Sequence, residues 1–318
     1  MTWRRVLPIV VLFAAAATVF VELRRPPSEP SPVAEPVWTV EPPPNAPSGA
    51  PFALGRAPRP EAVRWSGTFS YDQVPSGRFG TEPTKPRRAL EGTFTAAETT
   101  TGPASARATV VAATFELEEL VQSAARAPRR FEARLAFTRD AEGSIVHRSI
   151  RLDGPADVLT QLELFQAAFT QRFTLPVPPV RVGERIPIDD AIDVGELLHR
   201  PLLFLFQNRV AIDGPVRVPA EGGVWVASKS EDAGGGHVVL KAALTQAHRG
   251  ESGPMGAKAV AIDYRAKVEG ERTLELVDGR TTRHELAIAR RIRYTAHDLD
   301  YAILVRSRIA MAEDGPSK

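Results

Sequence analysis

From Val63 onward the chain alternates apolar and polar residues with a period of two. Val63, Trp65, Phe69 and Tyr71 fall on one side of a strand, and Arg64, Ser66, Thr68, Ser70 and Asp72 on the other. Phe131, Ala133, Leu135 and Phe137 repeat the pattern against Glu132, Arg134 and Thr138. A turn at Asp140–Gly143 then leads into Ser144–Leu152, which predicts a hairpin. The alternation is clearest in the C-terminal third. There Val260, Ile262, Tyr264, Ala266 and Val268 oppose Asp263, Arg265, Lys267 and Glu269. Val277-Asp278-Gly279-Arg280 reads as a hairpin turn. Beyond it, Leu286, Ile288, Ile292 and Tyr294 share a face, and Tyr301, Ile303, Val305, Ile309 and Met311 make a last strand. Such a pattern predicts an antiparallel meander, apolar on one face and charged on the other.

One stretch has helical spacing. In Gly154–Phe173, Val158, Leu162, Phe165, Phe169 and Phe173 recur at steps of four, three, four and four, and Pro155 suits a first turn. The expected fold class is therefore mainly β with one or two helices (α+β), the helix lying on the apolar face of the sheet. Residues 173–189, FTLPVPPVRVGERIPID, follow that helix. Their prolines exclude both helix and central strand, so the segment reads as a rigid crossover with its turn at Gly183-Glu184.

Upstream the chain changes character. An apolar run from Val6 to Val21, bounded by Arg4-Arg5 and Arg24-Arg25, spans roughly 24 Å as a helix, enough for a thin membrane anchor if the arginines snorkel. The alternative is a signal peptide cut after the small residues Ala14–Ala17. Between Pro26 and Pro60 about a third of the residues are proline, which favours a polyproline II spacer reaching on the order of 100 Å when fully extended. The expected organisation is an anchor or signal at 1–25, a linker at 26–62, and an exported β-rich domain at 63–318 with an internal crossover at 173–189. The first reading puts an inner-membrane-anchored domain in the periplasm, and the second a secreted protein.

Composition narrows the function classes. The 318-residue chain has no cysteine, which removes disulfides, thiolate metal sites, thiol nucleophiles and lipidation of an N-terminal cysteine. Its formal net charge is only +2, and bases and acids are interspersed, so no basic stripe for nucleic acid is expected. None of the nucleophile-elbow, zinc-protease, phosphate-loop or dinucleotide-binding motifs occurs. Gly253–Lys258 has glycines at suggestive spacing but precedes a strand, and reads as a turn. The six histidines, His147, His199, His237, His248, His284 and His297, lack ligand spacing and are expected at the surface; His297, beside Asp298 and Asp300, fits a polar turn. Asp189, Asp190, Asp193 and Glu196 could offer oxygen ligands to calcium but lack the loop spacing, and Asp193 equally suits a helix cap. Neither cofactor nor metal is expected, and the chain does not read as an enzyme.

The candidate chemistry is apolar. Leu203, Phe204 and Phe206 belong to a run, Pro201–Phe206, without polar interruption, which is either a strand or helix buried on both sides or the wall of a cavity. With Leu162, Phe165, Phe169 and Phe173 from the helical stripe it forms the candidate site for a hydrophobic ligand. Pro176–Glu184 and the hairpin Val268–Leu276 resemble uncharacterised exported bacterial β-proteins, in which a proline stretch and Val-Gly-Glu/Asp are usually followed by Trp. This chain has Ile186 and Pro187 in that neighbourhood. The meander with a helix laid on it, across residues 63–311, is similar in outline to the LolA and LppX envelope lipid carriers. That resemblance implies a curved half-barrel able to hold an acyl chain, and carries no individual residue across. The expected function is binding of a hydrophobic ligand, lipid included, or of an envelope protein. The alternative is a structural interaction module of the envelope without a ligand.

Overall fold

A computed structural model describes residues 35–54, 62–79, 87–100, 105–116, 129–139, 145–153, 179–186, 191–193, 198, 216–232, 235–252, 259–277, 279–297 and 299–314. Trp38–Lys318 forms one compact unit and Met1–Val37 another. Long strands dominate the described part: β2 (Ala62–Phe79), β3 (Arg88–Thr100), β4 (Ser105–Glu116), β5 (Arg129–Arg139) and β6 (Ile145–Asp153) in the first half; β10 (Arg217–Asp232), β11 (Gly235–Ser252), β12 (Val260–Glu275), β13 (Thr281–Ala296) and β14 (Leu299–Glu313) in the second. Short strands lie before and between them: β1 (Ser48–Phe52), β7 (Val180–Val182), β8 (Arg185–Ile186) and β9 (Ala191–Asp193).

Each half is an antiparallel meander of consecutive neighbours, and the two join where β14 pairs with β2. The order across the sheet is β6-β5-β4-β3-β2-β14-β13-β12-β11-β10-β8, with β9 also on β10, and the sheet does not close on itself. β11 and β2 have 18 residues each and β12 and β13 have 16, so these strands run roughly 50–60 Å, long enough to carry two separate cores end to end. The expected strands and the hairpins β5–β6 and β12–β13 are present. At the latter turn Gly279 has φ 66° and its N–H bonds the Glu275 carbonyl at 2.9 Å, while Arg280 donates to the Glu275 and Glu313 carboxylates.

One face of β2 and β10–β14, here the inner face, carries most of the buried apolar positions, while Trp225, Ala243, Ala302 and Leu304 are buried on the outer face, which carries most of the charge. On β12 Val260, Ile262, Tyr264, Ala266 and Leu274 are buried on the inner side, and the alternation lapses at Val268 and Gly270, which are half-buried. The crossover enters the structure at residues 179–186. Gly183 turns the chain with φ 82°, and its N–H bonds the Val226 carbonyl, while the Glu184 carboxylate accepts from the Arg181 N–H. β7 then pairs with β1, and β8 with β10 at the sheet edge, as a proline-flanked segment must. Trp38–Phe52, within the proline-rich stretch, belongs to the compact unit: Pro43 is buried beside Gly223, and Ala46 and Pro47 pack around Gly183. The helix expected over 154–173, the anchor segment and the turn at 253–258 lie outside the described residues.

Candidate functional site

Two packed clusters occupy the ends of the inner face. The first gathers Val218, Val260, Ile262, Tyr264, Ile292, Tyr294, Leu299 and Tyr301 around Leu198, which is 1% exposed. The Tyr294 hydroxyl donates to the Leu198 carbonyl at 3.0 Å, so a residue 96 positions away is fixed to the sheet by both packing and a buried hydrogen bond. Burial pushes the Tyr294 phenol up, with the nearby Tyr301 adding to it, and pushes Tyr264 up to about 12, slightly opposed by the Arg290 cation. The second cluster joins Phe52 of β1, Val180 of β7 and Ile186 of β8 to Val226, Val238, Leu240 and Leu274 of the sheet. Lys229 places its ammonium 4.8 Å from the centre of the Phe52 ring.

Between the clusters lies a belt of two cross-strand rows in which Ser307, Tyr71, Gln246 and Ala266 are buried and the other six positions are only half-buried. One cross-strand row runs Leu244, Val268, Ile288, Ser307, Tyr71; the next runs Gln246, Ala266, Arg290, Val305, Gln73. Leu244, Val268, Ile288, Val305, Arg290 and Gln73 all keep partial solvent access. Its polar groups are held by neighbours: Tyr264 donates to Gln246 at 3.3 Å, Gln246 donates to the Val218 carbonyl at 3.4 Å, and Tyr71 donates to Gln73 at 3.0 Å. Such a surface offers dispersion contacts along its length and a few oriented polar groups across its middle, which suits an amphiphile.

The inner face also buries charge. Arg272 and His284 are opposite each other in a row with Leu240 and Met311, and are 8% and 2% exposed. His284 was expected at the surface. Its parity in β13 places it on the inner side with Leu286, and that position is under the core whatever the residue. His237 and His248 are half-buried, and His297 occupies the polar turn between β13 and β14 as expected. Among the described residues no three His, Asp or Glu groups converge as a metal site would need. Asp193 ends β9, paired with Arg217; Asp189, Asp190 and Glu196 lie outside the described residues.

On the outer face a cleft of about 410 Å³ opens beside the Trp38–Pro47 segment, lined by Glu41, Trp225, Lys241, Glu269, Glu271, Glu285 and Arg308 among others. Hydrogen bonds from Arg283 and Arg308 hold the Glu285 carboxyl below the usual range, so that group is already committed within the sheet.

The seven residues singled out by sequence, Leu162, Phe165, Phe169, Phe173, Leu203, Phe204 and Phe206, lie outside the described residues. The belt itself went unremarked as a site. Its signal is present in LAIARRIRY, where Arg290 takes an inner-face position between Ile288 and Ile292 and breaks an otherwise apolar period. No helix among the described residues is long and apolar enough to cross a membrane. No protein-family model matches the chain, and no curated protein matches it.

Proposed function

We propose that the chain is an exported, membrane-tethered β-rich protein that binds a hydrophobic ligand, the acyl part of a lipid, on the inner face of its sheet. The observation that carries this reading is the half-buried belt of Leu244, Val268, Ile288 and Val305 between two packed clusters. Apolar surface left partly wet between two packed clusters is costly unless something covers it. In this reading the sheet curves as a half-barrel, the helix of residues 154–173 lies over its apolar face, and Phe165, Phe169 and Phe204 complete the wall. Residues 1–25 act as the anchor that holds the domain in the periplasm, or as a signal whose removal releases it. The protein acts as a binder, without a catalytic role.

The test is native mass spectrometry with organic extraction on the full chain expressed into a bacterial periplasm. A reproducible co-purifying lipid-sized mass is expected, reduced in Val268→Asn and Ile288→Asn. A ligand-free mass unchanged by incubation with lipid would overturn the reading and favour an interaction module.

A further inference from the structure

Several polar groups of the belt gather where β13, β14 and β2 lie side by side. Ser307 of β14 stands between Ile288 and Tyr71 in one row, and Val305 between Arg290 and Gln73 in the next. Ser307 is therefore the diagonal neighbour of both Arg290 and Gln73, at roughly 7–8 Å between backbones and within reach of long side chains. All three belong to the inner face, sharing parity with the buried Ile309, Ile292 and Tyr71.

Each has donors left for a ligand. Ser307 is 6% exposed, yet its hydroxyl bonds no neighbour among the described residues. The Gln73 carbonyl accepts from the Tyr71 hydroxyl at 3.0 Å, and the amide N–H groups of Gln73 meet no acceptor among the described residues. Arg290 is engaged within the protein, but a guanidinium carries five N–H donors, more than a single neighbour uses. Its charge is felt across the face, where it slightly opposes the rise of the Tyr264 phenol.

The sheet supplies no anion here. Across β11–β14 and β2, the two belt rows and the next inner-face row on either side contain no aspartate or glutamate. Arg290 is opposed by Ala266 and Val305, whose side chains cannot hydrogen-bond. A cation half-buried among aliphatic groups loses hydration, and an incoming anion would offset that loss through charge-assisted hydrogen bonds. Resting on the inner-face binding proposed above, we infer that the head group of the ligand is an anion, a carboxylate or a phosphate, seated on Arg290, Gln73 and Ser307. The donors set the sign, because a cationic head would find no carboxylate in these rows. The aliphatic chain then runs across the strands over Ile288, Val268 and Leu244, the half-buried part of the same row.

The test compares amphiphiles that differ only in head group. Hexadecanoate, hexadecyl phosphate, hexadecanol and hexadecyltrimethylammonium each compete with phenylnaphthylamine, an uncharged apolar dye, on the full chain. The two anions are expected to displace the dye at about tenfold lower concentration than hexadecanol. The trimethylammonium compound should do no better than the alcohol. Tighter hexadecanoate would identify a fatty acid as the source of the head group, and tighter phosphate a phospholipid. Arg290→Met should bring the anions to the level of the alcohol and leave hexadecanol itself unmoved, whereas Arg290→Lys should keep most of the preference. Ser307→Ala and Gln73→Leu should each weaken the anions about fivefold, again without moving the alcohol. A residue that merely held the sheet together would shift all four competitors alike. Equal displacement by alcohol and anions, or a preference that survives Arg290→Met, would overturn the anionic head group while leaving the inner-face site standing. A chain that takes up neither the dye nor any amphiphile would remove the inner-face binding, and the head group with it.

Discussion

The two ends of the inner face are closed by different means. At the Tyr294 end, the cover includes Leu198, brought from a distant part of the chain and fixed by one buried hydrogen bond. At the Leu274 end the cover is itself strand, with Phe52, Val180 and Ile186 arriving on β1, β7 and β8. The first closure rests on side chains meeting a sheet, the second on backbone pairing as well as packing. Both lie along the same long strands, so the half-buried belt between them is bounded at each end by a core of its own.

Truncating each cover separates the two. Phe52→Ala should cost about 3–5 kcal/mol and Leu198→Ala about 2–5 kcal/mol, measured by denaturant unfolding. Because the belt lies between the clusters, the double variant should be additive within about 0.5 kcal/mol, and a larger coupling would show the ends acting as one core. Alkali should attack the Tyr294 end selectively. The phenols of Tyr264, Tyr294 and Tyr301 are all raised by burial, so folding disfavours their ionised forms. Stability is then full below the ordinary phenol value near pH 10 and falls as pH rises above it. Tyrosinate absorbance should appear late, in the same step as unfolding; a gradual rise from pH 10 would contradict the burial of this cluster. A gentler probe compares Ile309→Val, in the sealed part of the face, with Ile288→Val in the belt. The first should cost about 1 kcal/mol and the second less, since Ile288 is only half-buried in the free protein. The smallest effect belongs to the exposed pair in which Arg293 clasps Asp300 at 2.8 and 2.9 Å and holds its carboxyl below the usual range. Asp300→Asn should cost a few tenths of a kcal/mol, and the difference should vanish as pH falls through the folded-state value.

The strands were legible because burial on one face imposes a period that survives in the residues themselves. Val260 to Val268 and Tyr301 to Met311 show it without help from context, and Asp278-Gly279 marks the hairpin turn. What escaped was whatever depends on distant pairing. β1 is hidden among prolines and is a strand only because β7 is there to receive it. Trp38–Pro47 carries no period, and its packing against the turn at Gly183 is a matter of fit. Arg272 and His284 have the composition of an outer face and the parity of an inner one. The belt is a property of how far the covers extend, which no local pattern records.

The pairing of β14 with β2 has a consequence for how the molecule is made. Leu299 pairs with Phe79 and Glu313 with Trp65, so the central seam of the sheet is stitched by β14, which follows all the other described strands in the chain. Until it arrives, β2 and β13 each present a bare edge, and closing the seam requires a loop of more than two hundred residues. Both meanders can form early from local hairpins, but they become one sheet only once β14 is available. Clipping the C-terminal strand would leave two separate meanders with sticky flanks, prone to aggregation.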